Sequence, residues 1–117
     1  MPQDIIFETF SRLTKGLNPQ RARIVIFEYI RDIPYAIIPA LRDPSAGPQE
    51  MLKLDKGSCQ PKHYLLGMFF NQLDIPIKYA TFPFSWAELP LNYPPILKNI
   101  AAKLPQGFHL CCEAYIE

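Results

Sequence analysis

Asp55-Lys56-Gly57-Ser58-Cys59-Gln60-Pro61-Lys62-His63-Tyr64-Leu65-Leu66 is the stretch whose reading decides the fold. Proline is accepted in the first turn of a helix, where its missing N–H would have no intrahelical partner, and breaks a helix further in. The apolar residues behind it, Leu65, Leu66, Phe69, Phe70 and Leu73, require a helix, so Pro61 fixes the start close to Ser58, a favoured N-cap residue. Cys59 then falls on the first turn, just after a flexible glycine. Unpaired N–H groups and the positive end of the helix dipole favour a thiolate there, which is the chemistry of a nucleophile. A free cysteine is also a small hydrophobe suited to cores, and position alone leaves both readings open.

Toward the N-terminus, residues 3 to 16 carry Ile6, Phe10, Leu13 and Leu17 in one apolar stripe at helical spacing, with Gly16 as a stop. Asn18-Pro19 reads as an N-cap followed by proline at the first helical position. Ala22, Val25, Ile26, Tyr29, Ile30 and Ile33 then form the apolar face of a second helix, opposite Arg21, Arg23, Glu28, Arg31 and Asp32. It ends at Asp32-Ile33-Pro34, because the residue before proline avoids helical geometry. Both helices read as support and show no chemistry. Tyr35 to Ala40 is expected to be extended, Asp43 to Pro48 a loop, and Gln49 to Leu54 a short helix.

Beyond the cysteine helix, Asp74-Ile75-Pro76 turns into a strand from Ile77 to Phe82, rich in β-branched and aromatic residues. Pro83 to Pro95 is a connection holding the only tryptophan, Trp86. Pro95 to Leu104 is expected to be a helix with Ile96, Ile100 and Leu104 inward. A last strand runs from Phe108 to Ile116, with the adjacent Cys111 and Cys112 on opposite faces.

The totals narrow the function classes. The 117 residues suffice for one domain, 1–117, with a modest core. A net charge of +1 with scattered basic residues gives no electrostatic footprint for nucleic acid. No apolar run approaches a membrane span, and Asp4 stands where a signal peptide carries positive charge, so a cytoplasmic protein is expected. Three cysteines make a disulfide framework unlikely in such a compartment.

The order Gly-Ser-Cys at a helix start, Leu65-Leu66, Leu73-Asp74-Ile75-Pro76 before a strand, and His109-Leu-Cys-Cys-Glu113-Ala-Tyr115 on a later strand resembles the transglutaminase-like superfamily, relatives of papain-like cysteine proteases. The helix from Ala22 to Ile33 also resembles that family's helix before the cysteine loop. The resemblance implies an α+β fold, a transglutaminase-like core with helices packed on a small, incomplete antiparallel sheet. It implies Cys59 as nucleophile, the Cys59 backbone N–H as part of an oxyanion hole, and His109 as base, with amide or peptide hydrolysis as the reaction. It implies neither Ca2+ nor any other cofactor.

In that family an aspartate on the strand after the histidine orients the imidazole, and the sequence ends before such a strand. The chain therefore reads as a domain cut before the triad aspartate, or as a non-catalytic binding or structural descendant that lacks the acid. The unfinished sheet predicts an open edge beside Phe108 to Ile116, to be covered or paired with another copy.

Other candidates stand beside the pair. His63 is one turn after Cys59, where the family usually has a small residue, and side chains lean back along a helix. It reads as an incidental half-buried histidine, a second base or electrostatic partner, or part of a metal set with Cys59, His109 and Cys111. The spacings of that set match no compact zinc motif, and no metal is expected. Trp86, with Phe82, Phe84 and Tyr93, is expected either to line a substrate groove beside the cysteine or to fill the core. Lys53, Lys56 and Lys62 flank the cysteine and would favour its thiolate weakly.

Overall fold

The computed structural model describes residues 4–116, in which five α-helices precede and interleave with a two-stranded antiparallel sheet. Helix α1 (Ile5–Thr14) starts where the Asp4 carboxylate accepts from the Ile6 and Phe7 N–H groups at 3.0 and 3.3 Å. It buries Ile6 and Thr9, and Phe10 packs its ring 5.6 Å from that of Phe69. Gln3, the first residue of the expected helix, lies outside the described residues. Leu17 falls beyond the helix end and stays exposed, so it leaves the expected stripe. Helix α2 (Pro19–Arg31) is capped by Asn18, whose Oδ1 accepts from the Arg21 N–H at 2.8 Å. Ala22, Ile26 and Ile30 face inward from it, with Ile33 just past its end.

The following segment departs from expectation. Tyr35 bridges to Gly57, and Pro39–Arg42 forms a 3-10 turn that drives Leu41 into the core. Helix α3 (Ala46–Leu54) starts inside the stretch expected to be a loop. The Asp43 carboxylate organises that start by accepting from the N–H groups of Ser45 and Ala46, at 2.9 and 2.7 Å. Pro48 sits in the first turn, where it displaces no helical hydrogen bond. Gly47 is pressed against the Leu41 carbonyl, leaving no room for a Cβ.

Helix α4 (Cys59–Gln72) is the central element. Its Leu65 and Phe69 have no exposed surface, and with Phe70 they meet Ile6, Ile26, Ile30, Ile33, Leu41 and Met51 in one cluster. Strands β1 (Ile77–Phe84) and β2 (Gly107–Ala114) pair with Tyr79 opposite Cys112, Ala80 opposite Cys111 and Phe82 opposite His109. Adjacent residues on β2 thus take opposite faces of the sheet. The first strand runs two residues longer than expected, through Pro83, which lies opposite Phe108. The Tyr115 N–H donates to the Pro76 carbonyl, so odd-numbered residues of β2 bond toward β1 and the Phe108–Pro83 pair needs no N–H from proline.

Only one end of the sheet reaches the core. Ile77 and Ala114 pack against the cluster, and Tyr79 lies over Gly67 with its hydroxyl donating to the Tyr64 carbonyl at 3.3 Å. The other end carries a 3-10 turn (Trp86–Glu88) and helix α5 (Pro95–Lys103), which pack beside each other. The expected inward face of α5 is therefore not inward: Ile96, Ile100 and Leu104 are 75%, 50% and 47% exposed, and Ala101 alone is buried. The radius of gyration, 16.5 Å, exceeds the about 13 Å typical of a 100-residue domain, as an outlying sheet end requires.

Candidate functional site

Two anchors place Cys59. The Gly57 N–H donates to the Pro34 carbonyl at 3.0 Å, and the Gly57 carbonyl accepts from the Ala36 N–H at 3.1 Å, tying the cysteine loop to the segment leaving α2. Gly57 is buried against Met51, so a side chain there would meet the Met51 sulfur. Lys62, one turn into α4, donates to the carbonyls of Ile33 and Arg31 and so closes the carbonyl end of α2. Burial pushes the Lys62 ammonium below its ordinary pKa, and Asp32 partly opposes that. Lys62 is thus held against α2 while its charge stays at the margin of the Cys59 pocket, and Lys53 pairs with Glu50 at 3.3 Å. Ser58 has the extended backbone of an N-cap, but its hydroxyl makes no capping bond.

Cys59 is the first residue of α4 and is half-buried. It opens on an apolar pocket of about 270 Å³ lined by Phe27, Ile30, Tyr35, His63 and Leu66, with Arg31 and Lys62 at its polar margin. The volume suits a side chain or short acyl group better than a cofactor. Phe27 and Tyr35 escaped the sequence reading. Phe27 lies off the buried stripe of α2 and is half exposed, and such an apolar residue outside the core face is the available signal.

His63 shares that pocket, and its Nδ1 accepts from the backbone N–H of Cys112 at 3.0 Å. The bond fixes the neutral tautomer with the proton on Nε2, so His63 donates at its outer nitrogen and has no lone pair left to accept with. It also covers β2's outer edge at Cys112. Burial, and secondarily the His109 imidazole, holds His63 below the usual histidine pKa. His109 stands edge-on to His63, ring centroids 5.7 Å apart and planes at 88°. His63, His109 and Cys111 bring their ligating atoms within 4.8 Å of one another, and among the described residues neither Cys59 nor any carboxylate joins that group.

Cys112 faces the other side of the sheet, toward Leu66 and Phe70, where burial raises its thiol pKa and Cys111 adds to the rise. Trp86 stacks edge-on to Phe84, with centroids 4.9 Å apart, and its carbonyl accepts from the Tyr93 hydroxyl at 3.0 Å. Trp86, Phe82, Phe84 and Leu89 line a separate depression of about 330 Å³ that borders His109 and does not reach Cys59. Neither Trp86 nor Phe82 is core filling, at 40% and 49% exposed.

Comparisons with protein-family models, with curated proteins and with solved structures find no match for this chain.

Proposed function

We propose that the chain is a transglutaminase-like cysteine acyl-transfer domain that hydrolyses an amide or peptide bond. The observation that supports it is the placement of Cys59 on the first turn of α4, facing an apolar pocket that His63 also lines, with the His109 ring edge-on to His63. On this reading the Cys59 sulfur attacks the carbonyl carbon, and the displaced π electrons collect on an oxygen that the Cys59 backbone N–H helps to hold. His109 takes the thiol proton and returns it to the leaving amine as the C–N bond breaks, and water then hydrolyses the thioester. The base is His109 rather than His63, because the Cys112 N–H already engages the His63 lone pair. His63 acts as a donor instead, and the substrate's apolar side chain occupies the pocket.

A second reading has its own support: among the described residues no carboxylate groups with the two histidines to orient the base as the third member of a triad would. The domain is then a non-catalytic binding or structural relative that uses the same pocket. Alkylation of Cys59 by iodoacetamide at mildly acid pH separates the two. Acyl-transfer chemistry predicts a rate at least about tenfold above that of the His109→Ala protein, since an activated pair depends on its base. Equal rates in the two proteins overturn the enzyme reading.

A further inference from the structure

The group formed by His63, His109 and Cys111 has no part for Cys111 in the acyl-transfer scheme, and its chemistry points elsewhere. Two imidazoles and a thiol come from two elements far apart in sequence, α4 and β2. His109 and Cys111 are two residues apart on one strand and so share a face of the sheet. Their ligating atoms, with that of His63, already lie within 4.8 Å of one another. A tetrahedral zinc ion with bonds of about 2.0–2.3 Å needs its ligand atoms about 3.3–3.7 Å apart, so closure asks for a movement of about 1 Å. His109 is exposed on its strand, and a rotation of its side chain would supply a movement of that size. We propose that His63, His109 and Cys111 form a binding site for a borderline-soft divalent transition ion, with zinc as the best match to two imidazoles and a thiolate.

The ion displaces one proton, from the Cys111 thiol to solvent, and gains bonds to Sγ and to one nitrogen of each imidazole; water completes the tetrahedron. Neutral His63 has a single lone pair, and the Cys112 N–H holds it at 3.0 Å. Metal binding therefore exchanges that hydrogen bond for the metal–nitrogen bond, whichever ring nitrogen coordinates. Release of the Cys112 amide is the signature that separates this site from loose binding at surface histidines. Cys59 has no role in it. The ion also takes the His109 lone pair, so on the reading proposed above the metal-bound form is the inactive one.

The test titrates the full chain carrying Cys59→Ala with zinc by calorimetry, and with cobalt(II) by absorption spectroscopy, neither of which reads activity. The site predicts one ion per chain, a thiolate-to-cobalt charge-transfer band, intense visible bands of tetrahedral cobalt, and a shifted Cys112 amide resonance. His109→Ala and Cys111→Ser, placed on top of Cys59→Ala, are each expected to weaken zinc by at least about tenfold, the lower bound for lesions at a metal site. Neither residue belongs to the buried core, so both variants remain folded enough to measure. Cobalt binding without the thiolate band, undiminished affinity in either variant, or an unmoved Cys112 amide would overturn the proposal. Loss of Cys59 reactivity alone would count only against the acyl-transfer reading.

Discussion

Replacing His63 with phenylalanine removes the acceptor of the Cys112 N–H while keeping a ring of similar volume beside the sheet edge. A hydrogen bond of this kind contributes about 0.5–1.5 kcal/mol net, and a stranded buried donor costs about 1–3 kcal/mol. Cys112 is half-buried, so water reaches its amide in part, and the expected loss near pH 7.5 is about 1 kcal/mol. The same bond carries a pH dependence. Burial and the neighbouring His109 depress the His63 pKa in the folded protein, so between the unfolded value of about 6.5 and the folded one the unfolded chain binds more protons. Stability from this group is complete above about pH 6.5 and is lost as pH falls through the window down to the folded pKa. The groups facing His63 are His109 and Cys111 on β2, Cys59 and Lys62 on its own helix, and Arg31 and Tyr35 across the pocket. Asp32 and Asp43, which ion pairing or backbone N–H groups hold below the usual carboxylate pKa, titrate further down and are common to both proteins. Urea unfolding followed by circular dichroism at about pH 7.5 and about pH 5 should show the wild-type advantage shrinking in acid. An equal gap at both pH values would refute the reasoning, because it would mean that the lost contact was packing and not a bond to a neutral imidazole.

Three further changes have expected outcomes. Gly47→Ala forces a Cβ onto the Leu41 carbonyl, where only backbone movement relieves the clash, and should cost about 1–3 kcal/mol or more by urea midpoint. Phe69→Ala empties the centre of the core at a cost of about 3–5 kcal/mol, within reach of the entire stability of a small domain, so cooperative thermal unfolding should weaken severely or vanish. Lys62→Met strips the donor from the Ile33 and Arg31 carbonyls; an expected loss of about 1 kcal/mol should come with faster amide exchange at Gly57 and Ala36, and unchanged exchange there would separate Lys62 from the placement of Cys59.

Local rules made most elements legible. Asn18-Pro19 opened α2, Pro61 located the start of α4, and the run from Leu65 to Phe70 identified the helix around which the core closes. What escaped depends on tertiary placement. The sequence cannot say that α5 lies away from the core, so the periodicity of Ile96, Ile100 and Leu104 suggested a buried face that the chain leaves exposed. Ala46-Gly47-Pro48 has loop composition, yet Asp43 organises it into a helix start because Leu41 is buried beneath it. At the site, the spacing of four residues aimed His63 back toward Cys59 and both line one pocket. The Cys112 amide that sets its tautomer comes from a residue 49 positions away and left no local trace.

The sheet, gripped at Ile77 and Ala114 and unsupported at Phe84 and Gly107, is a cantilever. Its root is set in the core, and α5 is a weight at its tip. His109 sits toward the tip and Cys112 toward the root, with the His63 bond acting as a strut between helix and beam. The exposed apolar side of α5 lies at that tip, and the edge-on contact of His109 with His63 lies between it and the root.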